Sequence, residues 1–578
     1  MTRLTSRSCF FRVCSCLFVI LFSQLAPAHF ARAQDLDDVT VAGRVVDQNG
    51  ASVVGAKVIV TLAATGVERS VTTDAEGRYR LIELAPGVYT VRASSEGFAV
   101  EERAGVETVA GQNVRLDFTL RPAGVEVSQV VASEMNGAAI DTTRTVVGGT
   151  LTRAELETLP LPTRSPLELI FTLGGVTEEP LSTRDVAEDR NRTAARTPEE
   201  SGTFALSGGA AYSNNLTIDG LDNNDDRAAR ERFQPSLEAV EEVQVITNQF
   251  SAEYGRASGG RVNLRTRGGS NAFHGRAFYF FKDEALDANS WSNNLRGLKR
   301  LPLQEHAPGF TVGGPLTLRS KLFRAHDSTR MSDATPAPRN FFFVAYEFRT
   351  LLDSSLIDTL VPVKSNPLFP LPAPSALAGR RTEPSATAPN EPAELAPFVA
   401  QVSTPLREHT LTARTDHNFS DTHNATFLLQ AGRSRNLRQF GGGSRLADAL
   451  QGRTRDTDAI AYSDNLVLSP RVVNQLRAQI SRLTPALKTR GDDARPVVLV
   501  EINDPLAADD LQDRSGTLVA GSSNAGASDR RESRVQLQDT LSVIRGAHSL
   551  KFGGDVQRIR STFVDLSDAS GTFNFTSA

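Results

Sequence analysis

The chain is poor in sulfur and in tryptophan, with three cysteines, three methionines and one tryptophan in 578 residues. All three cysteines, Cys9, Cys14 and Cys16, lie near the N-terminus, so the domains that follow are expected to rely on large sheets and not on disulfides. No segment reaches the run of about 20 apolar residues that a membrane-spanning helix needs. Charge of one sign is also missing: Lys plus Arg number 63 and Asp plus Glu 67, a formal net charge of −4, which makes nucleic acid a poor partner. HExxH, GxSxG, P-loop and dinucleotide fingerprints are absent, so no catalytic residue, cofactor or resident metal is expected.

What is present begins with an export signal. Arg3, Arg7 and Arg12 precede an apolar run over residues 13–26, and Ala31-Arg32-Ala33 follows, the three parts of a secretory signal peptide over residues 1–33. The cysteines precede most of the apolar run, where a lipoprotein cysteine would follow it. Loss of four arginines and no acid with this segment takes the formal charge from −4 to −8.

Residues 39–121 alternate short β-prone runs with turn signals at Asn49-Gly50, Asp74-Ala75-Glu76-Gly77, Ala85-Pro86-Gly87 and Glu96-Gly97, the spacing of a small antiparallel sandwich. Alternation selects Val45, Val58, Val60, Leu81, Leu84, Tyr89, Val91, Phe98, Leu116 and Phe118 as its core. The segment resembles the carboxypeptidase regulatory-like domain, a transthyretin-like β-sandwich. The matching positions are Asp47, Gly55-Ala56, Asp74-x-x-Gly77-x-Tyr79 and Pro86-Gly87-x-Tyr89. The resemblance implies an accessory module without peptidase residues.

Residues 122–138 form a linker that contains the extended run VEVSQVVA, Val125, Glu126, Val127, Ser128, Gln129, Val130, Val131 and Ala132. Two readings stand side by side. The run is either a linker strand that packs on its neighbours or a Ton box, the segment that adds as a strand to the periplasmic protein TonB.

Residues 139–269 are mixed. Thr152 with Glu155 makes a capping box for a short helix, and residues 165–171 suggest another. The stretch over residues 235–269, PSLEAVEEVQVITNQFSAEYGRASGGRVNLRTRGG, joins two strands, 243–247 and 262–266, through Gly255, Gly259 and Gly260, where glycine supplies positive φ or close backbone approach. With Leu216-Thr217-Ile218-Asp219-Gly220, it resembles the plug of TonB-dependent outer-membrane receptors. The matching residues are Asp219, Gly220, Glu241, Val243, Tyr254, Gly255, Gly259, Gly260 and Asn263. The stretch from Gly268 to Phe280 is similar to the first barrel strand of the Oar-like branch of that family, which also carries the N-terminal sandwich.

Over residues 270–578, Val535, Leu537, Leu541 and Val543 alternate with Gln536, Gln538, Thr540 and Ser542, and Val472, Leu476, Ala478 and Ile480 alternate with polar neighbours. Periodicity alone does not separate a lipid-facing strand from one that faces a soluble core. Ten prolines over residues 362–405 predict a long loop, residues 438–455 and 490–531 predict further outer loops, and residues 545–548 a tight turn. About ten crossings of ~9–11 residues each are expected, against twenty-two in the family, together with an unusual C-terminal end, so the expectation is a shortened barrel.

The resulting fold class is mainly β: a transthyretin-like sandwich, an α+β plug, and an incomplete antiparallel transmembrane barrel in the outer membrane, with the sandwich in the periplasm. The resemblance implies uptake of an unidentified extracellular ligand, with TonB, ExbB and ExbD as energising partners and outer-membrane lipid around the barrel. The alternative is a non-transporting adhesion or interaction protein. Asp219, Asp222, Asn223, Asn224, Asp225 and Asp226 form an acidic knot that lacks EF-hand spacing and is read as a solvated turn. His409, His417 and His423 are read as surface histidines.

Overall fold

The computed structural model describes residues 37–123, 130–132, 147–178, 204–316, 339–362, 395–436, 444–503, 515–522 and 528–575, apart from short breaks at 162–163, 228–229, 249–250, 252, 290, 292–293, 295–296, 298, 490–494, 547 and 566–570. The expected signal peptide lies outside the described residues, as does the candidate Ton box up to Gln129.

The N-terminal unit is a sandwich of two sheets. In one, Val39–Asp47 pairs antiparallel with Arg78–Leu84 and parallel with Asn113–Arg115 and Phe118–Leu120. In the other the order is Glu68–Thr72, Lys57–Leu62, Gly87–Ser94, Glu101–Thr108, Val130–Ala132, with the last strand parallel to its neighbour. The sandwich is therefore not wholly antiparallel. Of the ten expected core residues, nine are buried between the sheets and Phe98 packs half-buried against them. The turn signals have direct causes. Asp47 Oδ1 accepts from the backbone N–H groups of Asn49 and Ala51 at 2.9 and 2.8 Å, and Asp74 Oδ1 accepts from those of Glu76 and Arg78, so each aspartate closes its own turn. Gly77 completes the second turn at φ +72°.

The middle unit is built on a five-stranded sheet in the order Val147–Thr152, Val240–Asn248, Gly260–Thr266, Asn214–Ile218, Leu221–Asp222. The 235–269 stretch supplies its central antiparallel pair. Thr152 and Glu155 form the capping box ahead of helix Arg153–Thr158, and residues 166–172 form a 3₁₀ turn. Leucines and valines from these pieces make one core, which Leu428 and Ala461 of the third unit join.

The third unit is a nine-stranded antiparallel sheet in chain order: His274–Asp283, Gln304–Pro315, Asn340–Leu352, Leu406–Ser420, His423–Asn436, Gln451–Ser469, Val472–Thr489, Ser528–Arg545 and His548–Asp565. Among the described residues it is open, and its nine strands compare with the about ten expected. Its burial pattern is inverted relative to a soluble protein. Arg534 and Gln536 are 0% and 2% exposed, while their neighbours Val535 and Leu537 are 48% and 51% exposed. The register aligns Leu429, Ile460, Ile480 and Val535 across four adjacent strands, which makes an outward apolar row. A soluble sandwich would bury that row and expose the arginine. Only a lipid-facing wall with a polar lumen favours this arrangement.

Aromatic pairs lie to either side of the row on the same face: Phe310 with Tyr346 and Phe348 with His409 on one side, and Phe419 with His417 and His423 on the other. This is the placement of interfacial girdles. His409 stacks on Phe348 at 4.6 Å, while His417 meets Phe419 edge-on at 4.3 Å and His423 lies tilted to the same ring at 4.6 Å, so these surface histidines are part of the outward aromatic bands.

The two ends of the sheet differ. Tight turns join residues 420–423, 469–472 and 545–548 at one end. At the other end the predicted loops are partly structured. Ser354–Pro362 pairs with Leu395–Ser403, even through Pro397, and Val497–Ile502 pairs with Gly516–Gly521 and Thr572–Phe575. Ile357, Val361, Leu450, Ile502 and Leu518 join these pieces in a separate apolar cluster. The proline count did not foresee that strands flank the loop.

Candidate functional site

The middle unit lies against the polar inner face of the sheet, and two ionic clusters join them. The first surrounds the Asp219-Gly220 turn. Asp219 and Gly220 take left-handed φ of 48° and 81°, and Asp219 is held there by Thr266, whose N–H donates to Oδ1 at 2.8 Å and whose hydroxyl donates to Oδ2. Asn263 Oδ1 accepts from the Gly220 N–H at 3.2 Å and from the Thr217 hydroxyl at 2.8 Å. Its amide nitrogen donates to Asp37 Oδ1, and Arg261 donates to that same oxygen at 2.9 Å. Tyr254 donates its hydroxyl to Asp37 Oδ2, and the Arg261 guanidinium lies over the Tyr254 ring at 4.0 Å. Arg477 of the wall donates to Oδ2 as well. A Cβ on Gly220 would stand 2.8 Å from Arg477 and 2.9 Å from Asp37, so this glycine is needed for space as well as for φ.

Asp219, Gly220, Tyr254 and Asn263, selected from sequence, therefore converge on one cluster. Gly259 and Gly260 serve close approach: a Cβ there would come within 2.6 Å of Asn214 Oδ1 and of the Ile246 carbonyl, respectively. Neither takes positive φ. Gly255 has neither role, and the left-handed residue beside it is Arg256 at φ 57°. Val243 is a core residue. Glu241 is half-exposed beside Arg153, and its neighbour Glu242 is the buried one. Burial, above all, raises the Glu242 pKa against the opposing pull of Arg265.

The second cluster corrects the reading of the acidic knot as a solvated turn. Asp222, Asn223 and Asp225 are buried, because the wall supplies cations. Arg530 donates both terminal nitrogens to Asp225, each at 2.6 Å, and Arg455 adds a third contact at 3.1 Å. Arg534 pairs with Asp222 and with Asp226, the latter at 2.6 Å. Arg256 reaches the same two carboxylates at 2.9 Å. Arg232 joins Asp226 to Glu532. Burial raises the Asp226 pKa, but Arg534 and Arg256 together outweigh it and hold the carboxyl below its usual range. Burial, with Arg534 nearby, lowers Arg232 to about 10. Among the described residues no group of His, Cys, Asp and Glu is arranged to hold a metal ion. The guanidinium groups of these arginines neutralise the knot.

Sequence reasoning missed Asp37, Arg261, Arg477, Arg530, Glu532 and Arg534. The signal available for the last three was a charged residue at every second position, in phase with the polar Gln536 and Gln538 of the same strand.

Polar-in, apolar-out strands with a separate folded unit against their inner face define an outer-membrane β-barrel protein. The chain belongs to the outer membrane beta barrel domain family, matched over residues 265–578, and residues 40–121 match the carboxypeptidase regulatory-like domain. It is 28% identical over 298 residues to the TonB-dependent transporter Oar of Myxococcus xanthus, which covers 49% of this chain and 26% of that protein. Solved structures that it resembles include the outer membrane transporter YddB of Escherichia coli, at 10% identity and TM-score 0.45 over 72% of this chain and 48% of that one. The siderophore receptor PirA of Acinetobacter baumannii is similar at 14% identity and TM-score 0.41 over 74% and 50%. The chain thus spans about a quarter of the curated relative's length. The two matched domains, in this order and with the likeness to Oar, support a TonB-dependent receptor of the Oar type in the outer membrane.

Proposed function

We propose that the chain serves as a TonB-dependent transporter that takes up an extracellular ligand, with residues 139–269 as the plug that gates the lumen. The observation that carries this reading is the inverted wall: lipid-facing rows outside, and buried arginines inside that bind the middle unit's carboxylates. A plug held largely by ion pairs, with apolar contact to the wall limited to residues such as Leu428 and Ala461, can be rearranged without exposing a large greasy surface to water. The tight turns mark the periplasmic side, where the connection between Pro315 and Asn340 also starts and ends, and the connections after Leu352 and Thr489 mark the outside, so the Asp222 to Asp226 knot belongs to the outer half, where a ligand arrives.

Residues 125–131 are the proposed point of engagement for TonB, with ExbB and ExbD supplying the energy. The segment leads to Val147–Thr152, an edge strand of the plug sheet, so a pull on it acts first on one strand pair. No reaction is catalysed in this scheme. The test is site-specific crosslinking from Val127→Cys in outer membranes that contain TonB. A TonB adduct, abolished when Gln129→Pro is added to the same chain to break strand pairing, is the expected result. A chain that fractionates as a soluble periplasmic protein without an adduct would favour the adhesion alternative.

A further inference from the structure

The N-terminal sandwich is not a tethered accessory in this fold. It is fastened to both the plug and the tight-turn rim of the wall through three separate contacts. The first is Asp37, which immediately precedes the sandwich's first strand and accepts from Arg261, Asn263 and Tyr254 of the plug and from Arg477 of the wall. Asp38 beside it accepts from Gln475 at 2.5 Å. Arg261 is fully buried and pairs with Asp37 at 2.9 Å, so a plug cation is neutralised by a residue outside the plug.

The second contact is Glu83. It holds a left-handed φ of 53° inside the strand Arg78–Leu84, a conformation that a side chain other than glycine's adopts at a cost and that persists where surrounding contacts fix it. Those contacts belong to the wall. The Ser542 hydroxyl donates to Glu83 Oε1 at 2.7 Å, and Asn465 donates to the Glu83 carbonyl at 3.4 Å. Lys551 stands 3.7 Å from Glu83 and 3.1 Å from Glu253 of the plug. Ser542, Lys551 and Asn465 all lie within a few residues of the tight turns. The third contact covers the plug sheet itself, where Gln244, 1% exposed, donates to the Ala110 carbonyl at 2.9 Å.

From these contacts we infer that the sandwich is a latch: docked, it closes the periplasmic face of the plug, and it must swing off the rim before that face opens. The gate therefore has two parts, the plug in the lumen and the sandwich beneath it. The inference rests on the transport reading for its purpose, but the docking can be tested apart from it.

The mature region has no native cysteine, so single introduced thiols report cleanly. The full chain carrying Gln244→Cys is treated in outer membranes with a membrane-impermeant maleimide from the periplasmic side. The latch predicts slow labelling, accelerated about tenfold or more when Asp37→Asn or Lys551→Ala is added, as expected for release of a locally docked element. Lys551 also contacts Glu253 of the plug, so Ser542→Ala, which removes a wall contact to the sandwich residue Glu83, is the variant that separates undocking from a disturbed plug and should accelerate labelling as well. The pair Asp38→Cys with Gln475→Cys provides a second measurement: an oxidative crosslink is expected in resting membranes. Fast labelling of the intact chain, labelling unchanged by both variants, or a pair that does not crosslink would each overturn the latch. If labelling instead follows the predicted pattern but does not respond to energised TonB, the docking stands and the transport reading fails.

Discussion

Arg530 on the wall and Asp225 on the plug meet through two parallel hydrogen bonds of 2.6 Å, and both side chains are almost completely removed from water. Such a pair is asymmetric in its consequences. Removal of one partner leaves a buried charge and costs about 3–5 kcal/mol, whereas replacement of both by apolar residues of similar volume is close to neutral. Asp225→Ala should therefore loosen the plug from the wall, and the double variant Asp225→Leu with Arg530→Met should recover part of the loss, short of all of it because Arg455 loses the same carboxylate. Protease protection of the plug in isolated membranes, compared across the two single variants and the double, measures this. A double variant as damaged as the singles would contradict it.

The outward row makes a prediction of opposite sign for adjacent residues. Ile480→Arg places a charge among the most exposed apolar residues of the wall and should cost about 2–4 kcal/mol if the row lies near the bilayer midplane. Insertion into lipid vesicles from urea should show the loss. Arginine is already native at Arg534 on the inner face. If Ile480→Arg inserts as well as the parent chain, the row does not face lipid.

Two carboxyl groups on the plug respond to pH in opposite directions. Asp226 is held below its ordinary range, so its stabilisation is present above the unfolded-state pKa of about 4 and is lost as the pH falls through the lower folded value. Glu242 is raised by burial, so the folded state prefers it protonated, and the cost of its charge appears as the pH rises through its ordinary value and beyond. Glu242→Gln should accordingly stabilise the plug at pH 7 more than at pH 4. Thermal protease-protection curves at the two values decide this, and an equal effect at both would remove Glu242 from the account.

Gly260 and Gly255 separate the two uses of glycine in the plug. Gly260→Ala drives a Cβ to 2.6 Å from a backbone carbonyl and should cost about 1–3 kcal/mol as overpacking. Gly255→Ala meets nothing within 4 Å and should be tolerated. Side-by-side expression and plug protease resistance check the contrast.

The sandwich core was legible because alternation and Asx turns are local: Asp47 and Asp74 bond to amides two and four residues on. The plug's central strands and the Asp219-Gly220 turn were legible for the same reason. The acidic knot was not, because the groups that change its meaning lie about three hundred positions away, as Arg530 does from Asp225. Five neighbouring acidic and amide residues without a metal pattern look solvated until the wall is known. Asp37 was invisible because it sits just past the signal and outside every motif, and Glu83 because a strained φ leaves no mark on composition. The loops near Pro397 were misjudged for a different reason. Proline bars donation from one backbone N–H, but an edge strand can still pair through its remaining groups, as it does opposite Leu360.

The most direct test of the account is depth-dependent quenching of single fluorescent labels on the wall. In the otherwise cysteine-free mature region, labels at Ile480→Cys and Val535→Cys should be quenched by brominated lipid, while labels at Gln479→Cys and Gln536→Cys should not be. Quenching of the second pair, or of neither, would contradict a lipid-facing wall and with it the plugged-receptor reading.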